Sequence, residues 1–139
     1  MITAIDTNVL LDILVPDPDY FERSLRALQE AANAGSLVIS DLVYAELSVH
    51  FQRQTDCDQF LRQNDIRVEA LTREASFLAS RLWRTHRQEG GKRTRILTDF
   101  LVGAHAQVQA SQLLTRDRGF YKDIFRSLAL VDPTSTHRA

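Results

Sequence analysis

Asp6 stands in the stretch MITAIDTNVLLDIL, where the polar triplet Asp6-Thr7-Asn8 interrupts an apolar run. A carboxylate flanked by Ile5 and Val9 is drawn out of water, and a desolvated carboxylate is costly unless it is paired or binds a metal ion. The triplet therefore requires a partner elsewhere in the chain. Three further acids are candidates: Glu46 in ISDLVYAELSVHF, Asp99 in LTDFLVGAHAQVQA and Asp117 in LLTRDRGFY. Helical periodicity sets Glu46 inside an apolar arc of Leu42, Val43, Leu47 and Val49. Such a break in patterning is expected at functional sites, although a Glu there can also snorkel to solvent or pair with His50. Asp99 shares a stripe with Gly103, Ala106 and Ala110, small residues that permit close approach. It equally suits the positive end of its helix, a placement worth about 0.3–1 kcal/mol. Asp117 follows an apolar strand signal and precedes a glycine turn, where an isolated Asp is ordinarily a loop residue. Asp12, Asp41, Asp58, Asp65, Asp123 and Asp132 read as solvated or capping acids.

The elements that must position these acids follow from hydrophobic spacing. Met1 to Ile5 reads as a short buried strand, with a helix from Thr7 to Leu14 straight after it and Asp6 at the junction. The spacing of Phe21, Leu25, Leu28 and Ala32 predicts a helix from Tyr20 to Ala34 that ends at Gly35. Leu37-Val38-Ile39 is a second strand signal, after which Ser40 caps a helix reaching about Arg53, and a further helix spans roughly Asp56 to Gln63. Alternation over Ile66 to Ala70 suits a strand. A helix from Arg73 to Gln88 ends at Gly90-Gly91. Thr98 caps a helix from Asp99 to about Ala110, and Leu113 to Thr115 and Leu128 to Val131 are the last strands. Short apolar strands separated by helices predict an α/β domain, a three-layer α/β/α arrangement around a short central parallel sheet. In such sheets ligands collect outside the carboxyl ends of the strands, which is where Asp6 and Asp117 fall.

The 139 residues suit one domain spanning 1–139, with 44% hydrophobic and 25% charged residues. The apolar runs are too short to cross a bilayer. Absence of a basic, cleavable N-terminal pattern and a single Cys57, expected to be inert, make a reducing cytoplasm the simplest address. A net charge of −1 predicts no strong global attraction to nucleic acid or to an anionic membrane. If four acids were neutralised by bound cations, the remaining surface would be mildly basic.

Taken together, Asp6 in AIDTNVLLD, Glu46 in ISDLVYAEL, Asp99 in LTDFLVGAHA and Asp117 in LLTRDRGFY, in this order and spacing, resemble the PIN-domain ribonuclease family. The compact length is most similar to VapC toxins of VapBC toxin–antitoxin systems. The resemblance implies that Asp6, Asp99 and Asp117 hold a divalent metal, with Glu46 joining through water or positioning the attacking water. Four gathered carboxylates repel one another unless cations neutralise them, and oxygen-only ligation favours Mg²⁺ or Mn²⁺ over zinc. His50, His86, His105 and His137 form no zinc spacing, and His105 reads as a core or interface residue. Thr7, Asn8 and Thr115 are expected to orient the ligating carboxylates.

An RNA substrate requires phosphate-binding groups. Arg84, Arg87, Lys92, Arg93 and Arg95 lie just before Asp99, and Arg116 and Arg118 flank Asp117; the same charges also suit a solvated helix end and loop. Trp83 and Phe120 read as packing residues. The toxin resemblance further implies a homodimer and a VapB-like antitoxin laid in an apolar groove. Leu10, Leu11, Leu14, Phe21, Leu25 and Leu28 could line that groove or be ordinary core. A haloacid-dehalogenase-like phosphatase would need a second Asp where Asn8 stands, and P-loop and serine-hydrolase motifs are absent. A housekeeping nuclease of RNA processing or decay, and a non-catalytic module binding RNA or protein, are the remaining alternatives.

Overall fold

The computed structural model describes residues 1–90 and 97–135. Five strands form one sheet: β1 (Ile2–Ile5), β2 (Ser36–Ser40), β3 (Ile66–Glu69), β4 (Gln112–Leu114) and β5 (Ala129–Val131). The order is β3-β2-β1-β4-β5 and each neighbouring pair is parallel. Parallel strands need crossovers, and helices supply them: α1 (Thr7–Leu14), α2 (Phe21–Ala34), α3 (Asp41–Ser48), α4 (Gln54–Gln63), α5 (Arg73–Gln88), α6 (Leu97–Gln109) and α7 (Arg118–Ile124). The predicted three-layer α/β/α class is what the chain adopts.

The central strands carry consecutive apolar residues, Leu37-Val38-Ile39 in β2 and Leu113-Leu114 in β4, because both faces are covered. Val38, Ile39, Leu113 and Leu114 are fully buried, and Val9, Leu10, Leu47 and Phe100 reach them from the helices. No helix among the described residues is long and apolar enough to cross a membrane.

Chain order runs outward from β1 to β2 and β3, then returns across the sheet to β4 on the other side of β1. That reversal opens a crevice between the carboxyl ends of β1 and β4, the usual ligand position in open α/β sheets. Two glycines hold the elements close. A Cβ on Gly35 would meet the Met1 carbonyl oxygen at 1.8 Å, just where the Ser36 N–H bonds to that oxygen at 2.9 Å. A Cβ on Gly103 would meet the Phe125 ring at 2.2 Å, so the small-residue stripe of α6 does admit a close neighbour.

Several predicted boundaries are corrected. The helix after Ser40 stops at Ser48 rather than near Arg53, because turn hydrogen bonds from His50 to Leu47 and from Phe51 to Ser48 close it. Thr98 lies inside α6 instead of capping it. Arg118 and Gly119 open a short helix, α7, where a glycine turn was expected. Gly91, the second half of the predicted helix stop, lies outside the described residues.

Candidate active site at the switch point of the sheet

Asp6 follows β1 directly and caps α1, its Oδ1 accepting the Thr7 N–H at 2.8 Å. Its Oδ2 accepts from Thr115 Oγ1 at 2.8 Å and from Asn8 Nδ2 at 3.3 Å. Thr115, fully buried just beyond β4, also accepts the backbone N–H of Asp117 on the same hydroxyl at 2.9 Å. One threonine oxygen therefore joins the acid after β1 to the backbone of the acid after β4. The Asp6 N–H closes the same corner by donating to the Leu114 carbonyl at 2.9 Å. Thr7 Oγ1 donates to Glu46 Oε1 at 2.5 Å and so draws α3 toward this corner.

Electrostatics set Asp6 apart. It is 8% exposed, and burial pushes its carboxyl up to about 6, with the charge of Glu46 adding to the rise. Hydrogen bonds from Thr115, Thr7 and Tyr121 pull in the opposite direction. Tyr121, buried on α7, is held well above the ordinary phenol range by its burial, then by the charges of Asp6, Asp99 and Asp117. Three acids from the end of β1, the first turn of α6 and the end of β4 thus act on one buried hydroxyl. Sequence reasoning missed Tyr121; its signal was a position one helical turn after Asp117, hidden because α7 itself was not expected.

Glu46 departs from expectation. It is exposed, at the rim of the corner rather than on a core face. The apolar arc that enclosed it included Val49, which lies past the end of α3 and is 80% exposed. Asp12 is also corrected, since it is buried rather than solvated. The guanidinium of Arg116, expected to meet phosphate, grips Asp12 instead, with Nε to Oδ2 at 2.7 Å and Nη2 to Oδ1 at 3.0 Å. Arg118 is exposed in the first turn of α7 beside Asp117, whereas Lys92, Arg93 and Arg95 lie outside the described residues. His105 is buried with Nε2 3.0 Å from Glu69 Oε1, in keeping with a core role. Cys57 is buried, and burial raises its thiol pKa, which disfavours the reactive thiolate. Phe120 packs edge-on against Phe100 and Tyr121 at 5.2 and 5.0 Å.

Among the described residues no three Asp, Glu, His or Cys side chains form a ready-made metal cage. The donor chemistry nonetheless fits a hard cation. The network around Asp6 consists of carboxylate, hydroxyl and amide groups, without a sulfur or imidazole. Burial disfavours the charge on Asp6, so a nearby cation would stabilise it. Mg²⁺ commonly takes one or two carboxylates and keeps several waters, and so needs no closed cage.

A parallel sheet with order β3-β2-β1-β4-β5 and a buried acid at the end of β1 defines an open α/β fold of the kind that gathers ligands at its switch point, here between β1 and β4. Comparison with known proteins gives this fold its family. The profile of the PIN domain matches residues 3–123, and the chain belongs to the PIN-domain family, a family of nucleases. Among solved structures, it is similar to VapBC2 from Rickettsia felis bound to a DNA fragment from its promoter. The TM-score is 0.72 at 23% identity, covering 95% of this chain and 98% of that one. It is also similar to VapBC-1 from nontypeable Haemophilus influenzae (TM-score 0.71, 19% identity, 97% and 100% coverage). FitAcB from Neisseria gonorrhoeae gives a TM-score of 0.66 at 21% identity, with 96% and 98% coverage. No curated protein matches the chain in sequence.

Proposed function

We propose that the protein is a Mg²⁺- or Mn²⁺-dependent endoribonuclease, the toxin of a type II toxin–antitoxin pair held inactive by a VapB-like antitoxin in the cytoplasm. The observation that carries the nuclease reading is Asp6: a buried carboxylate at the switch point, linked through Thr115 to the backbone of Asp117. Family membership and the likeness to VapBC and FitAcB complexes support the toxin and antitoxin assignments.

In this reading Asp6, Asp99 and Asp117 hold the cation and Glu46 completes the acidic set through water. When bound, the ion supplies an activated water and neutralises the charge that builds on the phosphodiester. Thr115 holds the Asp6 carboxylate and the Asp117 backbone with one hydroxyl, so the Asp6 carboxylate is already oriented before charge develops. Thr7 and Asn8 hold Glu46 and Asp6 in the same way. Glu46, at the exposed rim, joins the cation through water or positions the attacking water in this reading. Arg118, together with Arg93 and Arg95, neutralises substrate phosphates without reading base sequence.

Along α1 and α2, Leu10 and Leu28 are buried, while Leu11, Leu14, Phe21 and Leu25 remain half-buried. Those four are the apolar surface an antitoxin helix would cover, and a homodimer is the assembly proposed for the toxin. The test is cleavage of a cellular RNA pool by purified protein with Mg²⁺ or Mn²⁺, beside EDTA and Asp99→Asn controls. Cutting that is lost in both controls is expected; an intact pool in every lane would leave a non-catalytic binding module. Expression without a partner should arrest growth, and indifference to expression would favour housekeeping RNA processing.

A further inference from the structure

Arg116 stands between Thr115 and Asp117, and its contacts run back to α1 and the turn that follows it. Its backbone N–H donates to Asn8 Oδ1 at 3.2 Å, and its guanidinium lies 4.0 Å over the Tyr20 ring. The planar fork makes two short bonds to Asp12, which also accepts Ser24 Oγ from α2 at 2.7 Å. Asp12 belongs to the helix that Asp6 caps. The fork thus ties the Asp6 helix to the turn carrying Asp117.

Stability alone is a weak reason for such a pair, because removing two charges from water offsets much of their attraction. Geometry is a better one. A bidentate guanidinium–carboxylate contact fixes distance and orientation together, which a lysine ammonium cannot do. We infer that the Asp12–Arg116 pair is a positioning clamp that sets the spacing of the Asp6 and Asp117 carboxylates for cation binding, and that Arg116 is not a phosphate contact. The inference rests on the nuclease reading for its consequence, whereas the clamp itself is a property of the metal-free protein.

The test compares the parent with Arg116→Lys and Asp12→Asn at a temperature where circular dichroism shows each to be folded. Three quantities are read: the Thr115 and Asp117 backbone amide resonances without metal, Mn²⁺ affinity by electron paramagnetic resonance, and kcat and KM on RNA. Arg116→Lys is expected to displace both amide resonances and to weaken Mn²⁺ binding about tenfold. It should lower kcat while KM stays within about twofold. A raised KM with unchanged amides and unchanged Mn²⁺ affinity would overturn the clamp in favour of a phosphate contact. A lower melting temperature alone, with all three quantities unchanged, would reduce the pair to a structural brace. If Arg116→Lys does not fold, Asp12→Asn and Ser24→Ala report on the same amides. Should the parent neither bind Mn²⁺ nor cut RNA, the nuclease reading fails, and the Asp117 amide still decides the clamp.

Discussion

Asp6 carries opposed demands, because the carboxylate that suits a cation is poorly accommodated without one. Its folded pKa of about 6 lies above the ordinary 3.8, so the protonated form favours the folded state. That stability is fully present below pH 3.8 and is lost as pH rises through about 6. Asp6→Asn keeps an acceptor for the Thr7 N–H and removes the buried charge. In EDTA at pH 8 the variant should therefore be more stable than the parent by up to about 3 kcal/mol. The difference should vanish toward pH 4, as read from urea midpoints at several pH values. Added Mn²⁺ should reverse the order, because only the parent gains binding free energy. Equal pH profiles for the two proteins would contradict the burial argument. Thr115→Val tests the other side of the corner: losing the hydroxyl that serves Asp6 and Asp117 should cost about 10–100-fold in metal affinity or cleavage. Titration with Mn²⁺ would measure it, and an unchanged affinity would remove Thr115 from the site.

At the scale of elements, close approach matters more than propensity. Gly103 on α6 leaves room for the Phe125 ring that follows α7, and α6 and α7 carry Asp99 and Tyr121 respectively. Gly103→Ala should force that ring aside and destabilise the fold by roughly 1–3 kcal/mol, a loss readable as a lower urea midpoint. A neutral substitution would mean that Phe125 yields easily. The existence of α1, α2 and α5 was legible because each combines helical apolar spacing with a breaker at its end. α7 was not, because Gly119 in its first turn reads as a turn residue until Tyr121 and Phe125 bury themselves against the sheet. The end of α3 was missed for a related reason: Val49 fits an apolar helical arc, yet its side chain stays exposed.

For the whole molecule, setting the four proposed ligand acids aside turns the net charge of −1 into a mildly basic remainder. RNA binding should therefore show a clear salt dependence despite the near-neutral total. Replacing Arg93 and Arg95 with Ala should flatten the log–log salt slope by about 1.4 for a single strand, measured by fluorescence anisotropy. An unchanged slope would move the RNA path elsewhere on the surface. Ligand chemistry at the switch point depends on the sheet as a unit, since Asp6 and Asp117 are far apart in sequence and meet only because β1 and β4 pair.

The amino-acid sequence alone determined most of the element types and the parallel α/β class, and it singled out the four acids as candidates, because these depend on local spacing and on residue chemistry read in order. Thr7, Asn8 and Thr115 were legible as partners of the acids, whereas tertiary structure alone decided the roles of Asp12, Arg116 and Tyr121. Asp12 resembled a solvated acid, and Arg116 a phosphate contact, until the pairing of β1 with β4 brought them within 2.7 Å. Tyr121 had no visible role until folding buried its side chain where the charges of Asp6, Asp99 and Asp117 act on it. Burial and long-range pairing are properties of the packed sheet, and no local pattern encodes the distance between residues more than a hundred positions apart.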